Sequence, residues 1–226
     1  MAETKQTQLS ACGLLFDLDG TLISTLQVTE AIYTRCALEH NIDPAPVLAF
    51  CHGMPTLHVL RQFFPPSTHT VEYAQELEME ATLKLDGLRV ISGAKELLSA
   101  IPEDGWAIYT SGMPFLAVPR MKHLGIPMPK VLVTPQDVVN GKPSPDGYVL
   151  AARKLGLEAT QCVVFEDAKA GARAGKESGA VVVGIRTLLS DSELKQAGAD
   201  YTVRDMTKVQ VSVNGDGSLT VAIDES

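Results

Sequence analysis

Short apolar runs alternate with amphipathic stretches along most of the chain. The runs at 13–16, 106–109, 131–133, 162–165 and 181–185 each contain a few consecutive apolar residues flanked by polar or turn-forming ones. This is the pattern of strands buried on both faces. Between them, 93–101, 115–124, 146–155, 170–178 and 192–197 place apolar residues at helical spacing. Gly125, Gly156, Gly179 and Gly198 stand where such helices would close. The alternation predicts an α/β fold, a doubly wound parallel sheet with helices on both faces.

The interval 24–87 departs from this rhythm, because it holds no convincing strand. Helical periodicity covers 25–40, then 56–64 up to Pro65 and Pro66, then 70–85, whose acidic face reads as solvated surface. We expect a catalytic core formed by 1–23 and 88–226, with 24–87 inserted as a helical cap domain. Near the end of the chain, apolar residues alternate on either side of Asn214 and Gly215, predicting a terminal hairpin to which no chemistry is assigned.

Composition narrows the function classes. A chain of 226 residues is long enough to bury one α/β core and a small accessory domain. Cys12, Cys36, Cys51 and Cys162 lack the C-x-x-C spacing of a metal site and read as reduced, packed thiols. Residues 1–10 have no apolar core of a signal segment, and no stretch approaches the roughly 20 apolar residues of a membrane span. We therefore expect a soluble cytoplasmic protein. The net charge of −8 offers no field to recruit nucleic acid or an anionic membrane, so an anionic substrate must be drawn by local groups. No pattern specifies an oligomeric state.

In doubly wound sheets ligands sit beyond the carboxyl ends of the strands. Asp17 and Asp19 follow the first run. Because side chains alternate along a strand, they emerge on one side while Leu18 turns into packing. Two neighbouring carboxylates repel, a divalent cation relieves the repulsion, and Gly20 permits a tight turn beside them. After the second run come Thr110, Ser111 and Gly112; after the third, a loop carrying Lys142; after the fourth, Glu166 and Asp167. Each has a plainer reading alone. Asp-x-Asp-Gly could cap a helix starting near Thr21, Lys142 could lie on the surface, Thr110 could end a strand, and Glu166-Asp167 could favour a helix dipole. Their joint occurrence after successive strands argues for one phosphotransfer site.

The segments Phe16-Asp17-Leu18-Asp19-Gly20-Thr21-Leu22, Tyr109-Thr110-Ser111-Gly112, Gly141-Lys142-Pro143-Ser144-Pro145-Asp146 and Phe165-Glu166-Asp167-Ala168 resemble the four ordered motifs of the haloacid dehalogenase superfamily. With the insertion after the first motif, the chain is similar to the phosphatases with a helical cap. Leu60 to Pro65, Trp106 to Gly112 and Asn140 to Pro143 resemble fungal 2-deoxyglucose-6-phosphate and glycerol-3-phosphate phosphatases and bacterial sugar phosphatases. The resemblance implies that Asp17 is the nucleophile, forming an aspartyl-phosphate, and that Asp19 is the general acid and base. It also implies Mg²⁺ held by Asp17, the Asp19 backbone carbonyl and Asp167, with Glu166 supporting through water. Lys142 would neutralise phosphoryl charge, and Thr110 and Ser111 would hold its oxygens.

A cap loop would read the leaving alcohol, which implicates His52 and Gly53. Pro55 stands where relatives often carry Arg, Ser24-Thr25 where Asp-Ser is common, and Lys169, read as facing solvent, where Pro usually follows. The implied partner is a small phosphorylated sugar or polyol. A hexose-phosphate mutase resembling β-phosphoglucomutase and a non-catalytic binding protein are the competing functions; the absence of an Arg at 55 counts against the mutase.

Overall fold

The computed structural model describes residues 6–51 and 56–226. The chain forms two compact units, Met1–Ser24 together with Val90–Ser226, and Thr25–Arg89.

The first unit begins with β1 (Gln6–Ala11), β2 (Gly13–Phe16) and β3 (Ile23–Ser24). The second holds α1 (Leu26–Glu39), α2 (Pro44–Cys51), α3 (Thr56–Phe63) and α4 (Val71–Leu83). The chain returns through β4 (Arg89–Val90) and continues as α5 (Ala94–Ser99), β5 (Trp106–Tyr109), α6 (Pro114–Leu124), β6 (Val131–Val133) and α7 (Asp146–Lys154). Then follow β7 (Cys162–Glu166), α8 (Lys169–Glu177), β8 (Val181–Ile185), α9 (Asp191–Ala197), β9 (Tyr201–Val203), β10 (Val209–Val213) and β11 (Leu219–Asp224).

Six strands form the parallel sheet β6-β5-β2-β7-β8-β9, the doubly wound arrangement expected from the apolar runs. β2 lies at its centre, with Leu14 in register with both Trp106 and Val163. The chain first builds outward on one side of β2 through β5 and β6. It then crosses to the other side at β7, so the reversal opens a crevice at the carboxyl end of β2. Leu14, Leu15, Phe16, Ile108, Val164 and Phe165 are fully buried; each contributes about 1.5–3 kcal/mol by leaving water. The Phe16 and Phe165 rings, on paired strands, stack with centroids 4.9 Å apart.

Five of these elements escaped the sequence reading: β1, β3, β4, β9 and α2. The two-residue strands β3 and β4, paired with each other, are too short to show a period. β9 is a three-residue strand with a central Thr, too short for a periodic signal. β1 alternates exposed Gln6, Gln8 and Ser10 with Thr7, Leu9 and Ala11, and its polar composition masks a strand that pairs antiparallel with β11. The predicted hairpin is the β10–β11 pair, so β1 completes a three-stranded sheet, β1-β11-β10. α2 opens with two prolines, Pro44 and Pro46, in a first turn whose N–H groups have no helical acceptor anyway. There the Asp43 carboxylate accepts from the Ala45 amide at 3.1 Å.

The helical unit Thr25–Arg89 has its own apolar core, with Ile32 and Cys36 from α1, Val47 from α2, Leu60 from α3 and Leu77 from α4. All four cysteines are free thiols; Cys36, Cys51 and Cys162 are buried, whereas Cys12, expected to be packed, is exposed. Among the described residues, no helix is long and apolar enough to cross a membrane.

Candidate active site

The end of β2 places the two aspartates. The Asp17 amide donates to the Phe165 carbonyl at 3.0 Å, carrying the ladder one residue past Phe16. The Leu18 carbonyl then accepts from the amides of Leu22 and Ile23, each at 2.9 Å, folding 18–23 into a tight loop. No helix begins at Thr21, which excludes the helix-capping reading of Asp-x-Asp-Gly. Gly20 has φ +97°, and a Cβ there would lie 2.0 Å from Asp167 Oδ2. Only glycine both adopts that backbone and admits the neighbouring carboxylate. The Thr21 hydroxyl donates to Asp167 Oδ1 at 3.2 Å, joining the ends of β2 and β7.

Lys142 Nζ lies 2.5 Å from both Asp17 Oδ1 and Glu166 Oε1, and all three side chains are buried. Glu166 is held further by the Tyr148 hydroxyl at 2.9 Å and by the amides of Asp167 and Ala168 at 3.1 and 3.2 Å. Gly171 makes room for it, since a Cβ would fall 1.6 Å from Oε1. The lysine ammonium faces the rings of Tyr109 and Tyr148, 4.9 and 5.4 Å from their centroids, a favourable cation–π setting. The rings themselves meet edge to face at 5.0 Å.

Thr110 ends β5 in the same place. Its amide donates to the Val133 carbonyl, and its Oγ1 accepts from the Gly112 amide at 2.9 Å. Together Asp17, Asp19, Thr110, Ser111, Lys142, Glu166 and Asp167 line one cleft of about 250 Å³. His52 and Gly53, with Met54 and Pro55, lie outside the described residues. Lys169 is exposed and pairs with Glu193 at 2.9 Å.

A family model described as haloacid dehalogenase-like hydrolase matches residues 13–179. The chain belongs to that family. It is 38% identical to 2-deoxyglucose-6-phosphate phosphatase 1 of Saccharomyces cerevisiae over 96% of both chains. It is 36% identical to hexitol phosphatase A of Escherichia coli over 92% of this chain and 98% of that one. A haloacid dehalogenase family hydrolase from Deinococcus radiodurans, solved with bound phosphate and sodium, superposes with a TM-score of 0.73 at 25% identity, covering 87% of this chain and 92% of its own.

Charge at the site of this hydrolase is unbalanced. Burial pushes the Asp17 carboxyl up to about 7, opposed by Lys142 and reinforced by Glu166. Asp167 is driven well above the usual carboxylate range by burial and by the charges of Asp17 and Glu166. Burial works against the Lys142 ammonium, yet Asp17 and Glu166 outweigh it and hold its pKa above the ordinary lysine value. Three buried acids thus share one lysine. Asp17, Glu166 and Asp167 each offer a carboxylate oxygen, all within 4.8 Å of one another. Asp17 Oδ2 is buried and has no hydrogen-bond partner among the described residues. Three buried carboxylates that converge within 4.8 Å form an oxygen donor set that suits a hard divalent cation.

Sequence reasoning missed Arg120, Tyr109 and Tyr148. Arg120 Nη1 donates to Asp19 Oδ1 at 2.7 Å from α6. It had one visible signal: with Ala117 and Met121 it falls on the buried stripe of that helix, where a charged residue needs a partner. The tyrosines read as ordinary core residues, and nothing local marks their contact with Lys142.

Proposed function

We propose that the chain is a Mg²⁺-dependent phosphomonoesterase acting on small sugar or polyol phosphates through an aspartyl-phosphate on Asp17. The observation that carries this reading is the state of Asp17, with one oxygen fixed by Lys142 and the other buried without a hydrogen-bond partner among the described residues. An attacking carboxylate oxygen must be oriented but uncommitted, and Asp17 Oδ2 meets both conditions.

In the first step Asp17 attacks phosphorus, the bond from phosphorus to the alcohol oxygen breaks, and Asp19 gives that oxygen a proton. In the second, water attacks the phosphoryl group, Asp19 takes the water proton, and release of phosphate regenerates Asp17. Lys142 offsets charge on the phosphoryl oxygens, and Thr110 and the Ser111 amide donate to them. Mg²⁺, held by Asp17, Asp167 and the Asp19 carbonyl, would supply charge neutralisation. Glu166 already accepts four hydrogen bonds, so it serves as an anchor for Lys142 and as an outer support for the cation rather than a direct ligand.

The names of the yeast and bacterial relatives support a sugar or polyol ester as substrate. We take Thr25–Arg89 as the cap that reads the alcohol, with His52 and Gly53 contributing from its loop. Buried Cys36, Cys51 and Cys162 suit a reducing compartment, so the proposal places the enzyme in the cytoplasm. The test is phosphate release from a panel of sugar, polyol and glycerol phosphates, with and without Mg²⁺. Hydrolysis of one group of esters supports the reading. Dependence on a sugar 1,6-bisphosphate would indicate a mutase, and inertness toward the whole panel would overturn it.

A further inference from the structure

Arg120 occupies a position that packing alone does not explain. It lies on α6 between buried Ala117 and Met121 and is itself 8% exposed. An ionised side chain there carries a desolvation cost of several kcal/mol unless charge and hydrogen bonds compensate. The compensation comes from Asp19, whose Oδ1 accepts from Arg120 Nη1 at 2.7 Å across 101 residues of sequence. Lys142, by contrast, is engaged by Asp17 and Glu166, so each aspartate of the first motif has its own cation.

The geometry points to Arg120 as a positioning residue for proton transfer: it fixes the Asp19 carboxylate through Oδ1 so that Oδ2 serves the ester oxygen. Aspartate has only two side-chain torsions, and without a fixed donor its carboxyl would rotate across the mouth of the cleft. Arg120 is suited to prevent this because a planar guanidinium on a packed helix is a rigid donor. Asp19 Oδ2 lies on the side of Gly112, where an added Cβ would be 3.6 Å away. Thr110 Oγ1 lies on the same side, 3.2 Å from that Cβ position, and Asp19, Thr110 and Gly112 all line the cleft. The pairing also explains how the two aspartates, two residues apart, avoid competing for Lys142.

This inference rests on the phosphatase reading above. The experiment measures kcat and KM for two esters, an alkyl phosphate from the wild-type substrate range and an aryl phosphate whose phenolate leaves without a proton. The proteins are wild type, Arg120→Gln, Arg120→Lys, Asp19→Asn and the Asp19→Asn/Arg120→Gln double variant. Loss of positioning should lower kcat/KM for the alkyl ester by about 10–100-fold and leave kcat/KM for the aryl ester nearly unaffected, because that ratio reports ester cleavage alone; kcat falls for both esters wherever the water attack assisted by Asp19 limits turnover. Arg120→Lys, which keeps the charge but not the fork, should recover part of the alkyl rate. In the Asp19→Asn background, Arg120→Gln should have no further effect.

Equal losses of kcat/KM for both esters, or a full Arg120→Gln effect without the Asp19 carboxylate, would overturn the inference and leave the phosphatase reading standing. If Arg120→Gln does not fold, the alkyl-to-aryl ratio of Arg120→Lys decides: a ratio equal to wild type overturns the inference. A wild-type protein inert toward both esters would overturn the phosphatase reading and this inference together.

Discussion

Asp17 and Asp19 are separated by one residue and lie in different electrostatic settings. Asp17 is buried against Lys142, shares that lysine with Glu166, and keeps one oxygen without a partner among the described residues. Asp19, with 27% of its side chain exposed, is paired with Arg120 from a different helix. Burial raises both carboxyls; Lys142 opposes the shift at Asp17, whereas at Asp19 the main opposing cation is Arg120, with a smaller effect of Lys142. Residue type therefore does not assign their roles. A nucleophile is made by holding one oxygen and leaving the other bare; a proton carrier is made by placing a carboxyl at the mouth, where substrate and water reach it.

The largest effect that sharpens this contrast is Asp17→Asn, which should abolish phosphate release, by on the order of 10⁴-fold or more, for alkyl and aryl esters alike. Asp19→Asn should cost about 10²–10⁴-fold in kcat/KM with alkyl esters and far less in kcat/KM with aryl esters, whose cleavage needs no proton. If both variants lose both esters equally, the proposed division of labour fails.

Lys142→Ala should reduce kcat/KM by about 10²–10³-fold. It should also destabilise the fold by about 3–5 kcal/mol in the absence of metal, because it leaves Asp17 and Glu166 buried without their cation. Denaturant unfolding would check this; a stability equal to wild type would show that the lysine is not balancing buried charge.

Metal removal should stop turnover, and its effect on stability should depend on pH in a defined direction. Folding raises the Asp17 carboxyl from 3.8 to about 7, so between those values the folded state holds more protons than the unfolded chain. Its contribution is fully present below about pH 4 and is lost as pH rises through 7. Asp167 shifts in the same direction. Metal-free protein should thus lose Tm between pH 5 and 8, and added Mg²⁺ should raise Tm more at pH 8 than at pH 5. Asp17→Asn should flatten the slope; an unchanged slope would place its origin elsewhere. The smallest effect is expected for Tyr148→Phe. It removes one of four hydrogen bonds to Glu166 without unpairing a charge and should cost about 1 kcal/mol, or a Tm fall of about 2–4 °C by calorimetry.

What the sequence determined by itself was the sheet and the order of the motifs. Apolar runs of three to five residues bounded by turn formers are too short for buried helices and read as strands buried on both faces, and a doubly wound sheet brings the residues that follow them to one edge. From the sequence alone that topology brings Asp17, Asp19, Thr110, Lys142 and Asp167 together, and all five line the cleft. β3, β4, β9, β1 and α2 were not legible, because two or three residues carry no period, a polar edge strand is recognisable only through its partner, and prolines conceal a helix start. Tertiary structure alone decided which cation serves which carboxylate. Lys142 and Arg120 are both basic residues far from Asp17 and Asp19 in the chain. Only the packing of α6 and of the loop before α7 directs one to Asp19 and the other to Asp17. Side-chain partnership over such separations depends on distances of a few ångströms, which periodicity and spacing do not encode.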